Sequence, residues 1–368
     1  MNYTDLHYQT AFSLLFGIGP IRGKELIDKI QELPRIFHDD PESLSRMSGY
    51  RVQLFNEMDR QGALDAAEEI LDFNDRNAIR TLFHTDPDFP YRLNKTPDGP
   101  LLIYQLGSCN LNEGRFVAIV GTREPSDYGQ EVCKKLLESF KGLGIKTVSG
   151  LAYGIDTWAH RFSIDHKVAT IATLGHGLDR VYPAKNRTIA KQIIDSGGSL
   201  ITEFPPGTNP DRENFPKRNR VVAGLTDATI VVESKRSGGS LITARLANDY
   251  NRDVFAVPGT ITKETSRGCN MLIENDEAHL LESPESFLTK MGWFSDKEKR
   301  NPQRSLFPDV EPNEKLVVDY LKFNGRQAID ILALGIGKTI SELQVILFML
   351  EMKGIIRNKN GVWVELVP

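Results

Sequence analysis

The side chains best placed for chemistry are cations lying where apolar runs end. Arg123 follows FVAIVG, Lys185 and Arg187 follow VATIATLGHG, and Arg212, Lys217, Arg218 and Arg220 lie between SLITEFPP and ATIVVES. Lys235 and Arg236 then flank the run Ser237-Gly238-Gly239-Ser240, which opens the helix-like stretch LITARLAND. Free N–H groups and the positive dipole end of a helix there make an anion site. Guanidinium and ammonium groups around it would neutralise phosphate or carboxylate groups.

Those residues need a scaffold that collects them. Six apolar runs, 116–121, 145–150, 168–177, 199–206, 228–234 and 253–259, are each bounded by turn residues, with helix-forming segments between them. That alternation predicts parallel strands joined by crossover helices, a doubly wound α/β sheet. Ligands bind such sheets beyond the carboxyl ends of the strands, where these cations and recurrent glycines, among them Gly121, fall. Residues 81–114 are rich in turns and predict one short added strand. Residues 1–75 predict an all-helical domain. Within it LLFGIGPIRGKELI (14–27) is either half of a helix–hairpin–helix, whose glycine turn meets a phosphate, or a plain packing turn. The sheet domain is expected over 76–292. A charged, proline-rich linker fits 293–313. Three helices and a hairpin turning at Asn360-Gly361 fit a winged-helix module over 314–368.

The formal net charge is −4, so nucleic-acid attraction has to come from a local patch rather than from the whole chain. Three cysteines without paired or metal-type spacing fit a reducing, cytoplasmic compartment. No signal peptide or membrane span is expected.

Catalytic alternatives have thin support. The first strand is followed by G-T-R-E-P-S-D-Y-G, with Arg123 where a dinucleotide fold needs its second glycine, and no Walker pattern occurs. No cofactor or metal is therefore expected. Asp156 and His160, at i,i+4, could share a metal or a proton, but a first-turn aspartate and a histidine packed on the sheet explain them as well. His176 lies between two glycines and reads as a strand-end residue. Glu203 and Glu233 are expected to orient Arg218 or Arg220.

With these residues assembled, the chain resembles the DNA-processing protein A family (DprA, also called Smf). The resemblance runs through VGTR (120–123), SGLAYGIDTWAH (149–160), LGHGLDRVYPAKN (174–186), TEFPPG (202–207), FPKRNRVVAGL (215–225), VVESKRSGGSLITA (231–244) and VPG followed by S-x-G-C-N-x-L-I (257–273). It implies an extended Rossmann core that binds single-stranded DNA, dimerises and loads the RecA recombinase during natural transformation, without turnover. It places the DNA contacts on Gly121, Arg123, Lys185, Arg212, Phe215, Arg218, Lys235, Ser237, Gly238, Gly239 and Ser240. Arg123, Arg212 and Lys235 would meet phosphates, and Phe215 would stack on a base or pack in the core.

Two departures from the family pattern stand out. Asn275-Asp276-Glu277 replaces a glycine expected before Ala278, and the helix TISELQVILFMLEMKG lacks a cation before Lys353. A helix meant for the major groove presents Arg, Lys, Asn or Gln. The C-terminal module is therefore expected to contact protein, with DNA contact limited to Lys338, Arg357 and Lys359. Gln303–Phe307 resembles the short motif that docks bacterial proteins on the sliding clamp. The rival function is a phosphoribohydrolase of the same fold, but S-G-G-S-L-I-T-A stands where those enzymes carry P-G-G-x-G-T and a glutamate.

Overall fold

A computed structural model describes residues 3–293, 311–359 and 362–366. The chain divides into two units, Met1–Trp293 and Phe294–Pro368. Gln303–Phe307 and Asn360-Gly361 lie outside the described residues.

The first unit is built on a nine-stranded sheet. Its strands are β1 (Ile79–Phe83), β2 (Leu102–Gly107), β3 (Arg115–Val120), β4 (Ile145–Ser149), β5 (Thr170–Thr173), β6 (Ser199–Thr202), β7 (Ala228–Val231), β8 (Asp253–Ala256) and β9 (His279–Leu280). All six strands expected from the apolar runs are present, β3 to β8, and all pair in parallel. The spatial order is β1-β2-β6-β5-β4-β3-β7-β8-β9. From β3 the chain winds outward through β4, β5 and β6. It then returns to β7 on the other side of β3 and winds out again. The direction of winding therefore reverses between β3 and β7, which is where such sheets open a crevice.

The edges differ from the one extra strand expected. Two strands, β1 and β2, extend the β6 edge with antiparallel pairing, and β9 adds two residues beside β8. β1 mixes buried and exposed positions, so it lacks the continuous apolar run that marks the central strands. Central strands are covered on both faces. Phe116, Val117, Ala118 and Ile119 of β3 are fully buried, each large side chain contributing about 1.5–3 kcal/mol of transfer free energy.

The N-terminal helices do not stand apart from this sheet. Phe12, Leu26, Ile36, Leu44 and Phe55 share one core with Phe83, Leu101, Leu102 and Tyr104 of the sheet edge, so the boundary expected at residue 75 falls inside a single compact unit. The glycine turn at 17–19 serves this packing. Gly17 has φ +78°, and the Arg22 Nη1 donates to its carbonyl at 2.6 Å. A Cβ on Gly23 would stand 2.4 Å from Leu101. Lys24 is half-buried, and that burial lowers its pKa against the support of Asp98. Asp276 takes the left-handed conformation, φ +56°, that the missing glycine would have supplied.

The second unit contains helices Pro312–Asn324, Ile329–Ile336 and Ile340–Met352 with an antiparallel sheet in the order β10 (Gln327–Ala328), β12 (Trp363–Leu366), β11 (Ile356–Lys359). Val317, Leu332, Leu343, Leu347, Leu350 and Val364 form its core. No single described helix is long and apolar enough to cross a membrane.

One buried ion pair ties the amino ends of the strands. Arg92 is 5% exposed, and its Nε donates to Asp227 at 2.6 Å. The other Asp227 oxygen accepts from the Phe116 N–H at 2.8 Å, so the pair clamps β3 to the turn before β7. Replacing Arg92 by alanine leaves that carboxylate uncompensated, and urea denaturation is expected to show a loss of about 3–5 kcal/mol. Lys135→Ala, which breaks an exposed helical pair with Glu131, is expected to leave the midpoint in place.

Candidate nucleic-acid interface

A cleft of about 600 Å³ opens at the carboxyl ends of β3, β4 and β7, at the point where the winding reverses. Three loops and three helices build it, two of the helices contributing only Asp156 and the pair Ile242 and Thr243 beyond the loops. The turn after β3 supplies Gly121, Thr122 and Arg123; the turn after β4 supplies Gly150 and Ala152; and the loop after β7 supplies Ser234, Lys235 and Ser237–Ser240. The helix Asn214–Gly224 supplies Phe215, Pro216, Arg218, Asn219 and Val222, and Arg212 lies just before it. Ten of the eleven expected site residues therefore line one cavity. Lys185 does not. It sits exposed on the short turn of helix Ala184–Asn186, outside the lining.

The cations divide into two classes. Arg123, Arg212 and Lys235 are exposed, and none forms an ion pair with a described residue. Arg218 is 6% exposed and points into the sheet. Its Nη1 donates to the carbonyl of Thr173 at 2.7 Å and to that of Gly150, while its Nε donates to Asn219 Oδ1 at 3.2 Å. A Cβ on Gly150 would stand 2.2 Å from that Nη1, so glycine is required for the guanidinium to lie against the backbone. Burial lowers the Arg218 pKa, and the carboxylate of Asp156 works against that fall. Arg218 thus forms the floor of the cleft, with its Nη1 and Nε committed to the protein.

Arg220 is also matched internally, pairing with Glu203 and donating to the Asp98 carbonyl. Glu233, expected to orient an arginine, does something else. It accepts from the Ser126 N–H at 2.8 Å and the Ser126 hydroxyl at 2.7 Å, fixing the cap of helix Asp127–Ser139.

The Ser237–Ser240 loop is shaped partly by packing and partly for access. A Cβ on Gly238 would meet Ser234 Oγ at 2.2 Å, and one on Gly121 would meet Ile155 at 2.6 Å. Those glycines make room for protein atoms. A Cβ on Gly239 would meet nothing within 4 Å, so this position lies open. Gly239 caps helix Ser240–Asp249 without a side-chain bond. The N–H groups of Leu241 and Ile242 bond back to Gly238 and Gly239, whereas no described acceptor stands against the N–H of Gly239 or Ser240. Two residues with such donors, at the positive end of a helix, therefore lie in the cleft lining beside Lys235.

The candidate acid–base residues are committed internally. Asp156 accepts from the N–H of Gly150 at 3.1 Å and of Ala152 at 3.3 Å, and its burial pushes the carboxyl pKa up against the pull of Arg218. His160 is fully buried with Nδ1 2.8 Å from Thr170 Oγ1. His176 Nδ1 lies 2.8 Å from the Gly177 carbonyl, and its Nε2 accepts from the Tyr182 N–H at 3.2 Å. Sequence reasoning missed Asn219, Ile242 and Thr243 as lining residues. Their signal was helical phase alone: Asn219 lies four residues after Phe215, and Thr243 three after Ser240.

A model of the DNA recombination-mediator protein A family matches residues 80–292. The chain belongs to that family. It is 35% identical over 289 residues to protein Smf of Synechocystis, covering 77% of this chain and 72% of the relative. With the DNA processing protein DprA of Streptococcus pneumoniae it shares 38% identity over 205 residues, 56% of this chain and 72% of that one. The solved structure of the pneumococcal DprA superposes with a TM-score of 0.63 at 30% identity, covering 79% of this chain and 99% of that one. The Helicobacter pylori member, whose structure describes a single-stranded DNA binding mode, gives 0.52 at 28% identity over 58% of this chain and 95% of that one. The mostly parallel α/β sheet with a helical N-terminal region is thus the family's architecture, and the cleft lies within the matched span.

Two of these placements have measurable consequences. Arg218→Leu strips the donors from two buried carbonyls and is expected to cost about 2–6 kcal/mol in urea denaturation. A stable variant that lost only ligand affinity would mark Arg218 as a contact instead. Burial lowers the His160 pKa to about 3, against about 6.5 in an unfolded chain. Between those values the unfolded state binds the extra proton, so stability falls as pH drops, by at most about 1.4 kcal/mol per pH unit. Asp156, pushed up by burial, contributes with the opposite sign. The difference between wild type and His160→Gln isolates the histidine: the variant's unfolding free energy should fall less steeply from pH 7 to pH 4.

Proposed function

We propose that this protein is a single-stranded DNA-binding recombination mediator that holds a strand along the carboxyl edge of its sheet. In this assignment Arg123, Arg212 and Lys235 take phosphates, the N–H groups of Gly239 and Ser240 take a further phosphate oxygen, and Phe215 offers a ring to a base. The carrying observation is that three exposed cations without internal partners line one cleft at the β3/β7 reversal. Internal ion pairs account for Arg92 and Arg220 but not for these. A polyanion with flat apolar bases satisfies both the cations and the ring.

The reading extends to biology through the family. The protein would act in the cytoplasm as a homodimer, protect incoming DNA and deliver it to the RecA recombinase during natural transformation. It would do so by binding rather than by turnover. Asp156, Glu233 and His176 hold the scaffold in place, which leaves none of them poised as a base over the cleft. Gln303–Phe307 would serve as a sliding-clamp docking peptide.

The second unit is read as a winged-helix module, from its three helices and three-stranded sheet. Its helix Ile340–Met352 turns Val345, Phe348, Met349 and Met352 to solvent. Its Glu342 carboxylate accepts from the Thr339 N–H and hydroxyl in the capping box. An apolar, cation-free face offers a phosphate backbone no attraction and suits a protein contact.

Salt titration tests the main proposal. Log affinity for an oligothymidine should fall against log salt with a slope of about −0.7 per phosphate neutralised. Arg123→Ala and Lys235→Ala should each weaken binding and flatten the slope by about that amount. Binding indifferent to salt, or variants that bind like wild type, would remove the basis for the proposal.

A further inference from the structure

The cleft has an aromatic extension that the lining residues do not include. Tyr182 is 48% exposed, and its ring centroid lies 6.1 Å from that of Phe215 at an interplanar angle of 39°. Phe215 itself is set against the sheet, its Cδ1 standing 3.3 Å from where a Cβ on Gly175 would be. Both rings are anchored at the backbone. The Tyr182 N–H donates to His176 Nε2 at 3.2 Å, and His176 in turn is held by the Gly177 carbonyl. Phe215 is carried on the first turn of helix Asn214–Gly224. A large exposed aromatic on a fixed backbone costs little conformational entropy when a ligand covers it.

The charges around Tyr182 are sorted in the same way as those of the cleft. Arg180 is committed, pairing with Asp179 at 2.7 Å and donating to Asn209 Oδ1 at 2.5 Å. Lys185, three residues beyond Tyr182, is exposed and forms no ion pair with a described residue. The ring contact and the chain thus link a cleft cation, the Phe215 ring, the Tyr182 ring and, three residues further on, an exposed cation. The ring spacing is nearly twice the roughly 3.4 Å rise between stacked nucleotides of one duplex strand. It suits successive bases of a stretched single strand and not those of a stacked helix.

The geometry points to Tyr182 as a second base-stacking platform, over which a single strand leaves the cleft past Phe215 toward Lys185. This rests on the single-strand reading of the cleft and adds a direction to it. It also gives Lys185 a role that its absence from the cavity lining had left open: it meets the phosphate of the exiting nucleotide. Because the site is a ring and not a hydrogen-bonding pattern, it accepts any base. Only strands long enough to pass the cleft use it.

The test compares oligothymidines of about four and about twelve nucleotides on the full chain. Tyr182→Ala is expected to weaken binding of the longer strand by about five- to hundred-fold, the range that loss of one base–aromatic stack gives. It should leave the short strand and the salt slope of either as in wild type, since no phosphate contact is lost. Tyr182→Phe keeps the ring and should bind like wild type. Tyr91→Ala, which removes a tyrosine of similar exposure away from the lining, should also bind like wild type. Lys185→Ala should lower the salt slope for the long strand only. Equal affinity of Tyr182→Ala and wild type for the long strand, with Arg123→Ala still impaired, overturns the platform and leaves the cleft standing. A wild-type protein that binds neither strand overturns both.

Discussion

The cleft depends on where one guanidinium lies. Arg218 is drawn below the surface by the carbonyls of Gly150 and Thr173, at the ends of β4 and β5. Those carbonyls belong to strand ends, where the ladder no longer supplies a donor, and burying them unpaired would be costly. Satisfying them with a side chain from helix Asn214–Gly224 fixes the rotation of that helix. With Arg218 turned down, the residues three before and one and four after it, Phe215, Asn219 and Val222, are turned toward the cavity. The same bond therefore closes the sheet's carboxyl edge and presents the ring that a base would meet. Asp156 supports the arrangement from the opposite side, its carboxylate held by the N–H groups of Gly150 and Ala152.

Much of this was legible from the residues. The six central strands announce themselves because burial on both faces demands unbroken apolar runs, and the cations stand directly after them. The loop Ser237–Ser240 was legible because glycine and serine before a helical pattern leave few other uses. What the sequence could not separate was Arg218 from Arg123. Both are arginines near a strand end. One is a floor and the other a rim, and the difference is set by helix rotation against strand ends 45 and 68 residues away in sequence. Glu233 was misassigned for the same reason: its partner, Ser126, is 107 residues distant. The edge strands β1 and β9 were missed because mixed burial and a two-residue length leave no periodic signal. Tyr182 escaped notice as a ring because its proximity to Phe215 exists only once β5 and the helix after β6 are side by side.

The glycines show a similar division between what a pattern suggests and what geometry decides. Glycine at a strand end invites the inference that a ligand approaches there. In this fold Gly121, Gly150 and Gly238 are crowded by the protein's own atoms, and their lack of a side chain lets loops and Arg218 pack. Gly239 alone of the loop pair opens outward. The loop is thus not a row of equivalent permissive positions: Gly239 is left open, and its neighbour Gly238 packs against Ser234.

Under the proposed function, a chain of net charge −4 attracts a polyanion. Attraction at contact is set by which charges are left unmatched near the site and not by their sum. At 0.15 M salt, charges more than about 8 Å away are largely screened. Of the two acids that line the cleft, Asp156 turns its carboxylate to backbone N–H groups and Glu124 is exposed at the rim, while Glu233 and Glu203, outside the lining, are engaged by Ser126 and Arg220. Each carboxylate so engaged is lost as an internal partner for Arg123, Arg212 or Lys235. Structural hydrogen bonding of the acids and availability of the cations are therefore one feature of the design, and a substitution that freed Glu233 from Ser126 would disturb the electrostatics of the cleft even though Glu233 itself touches no ligand.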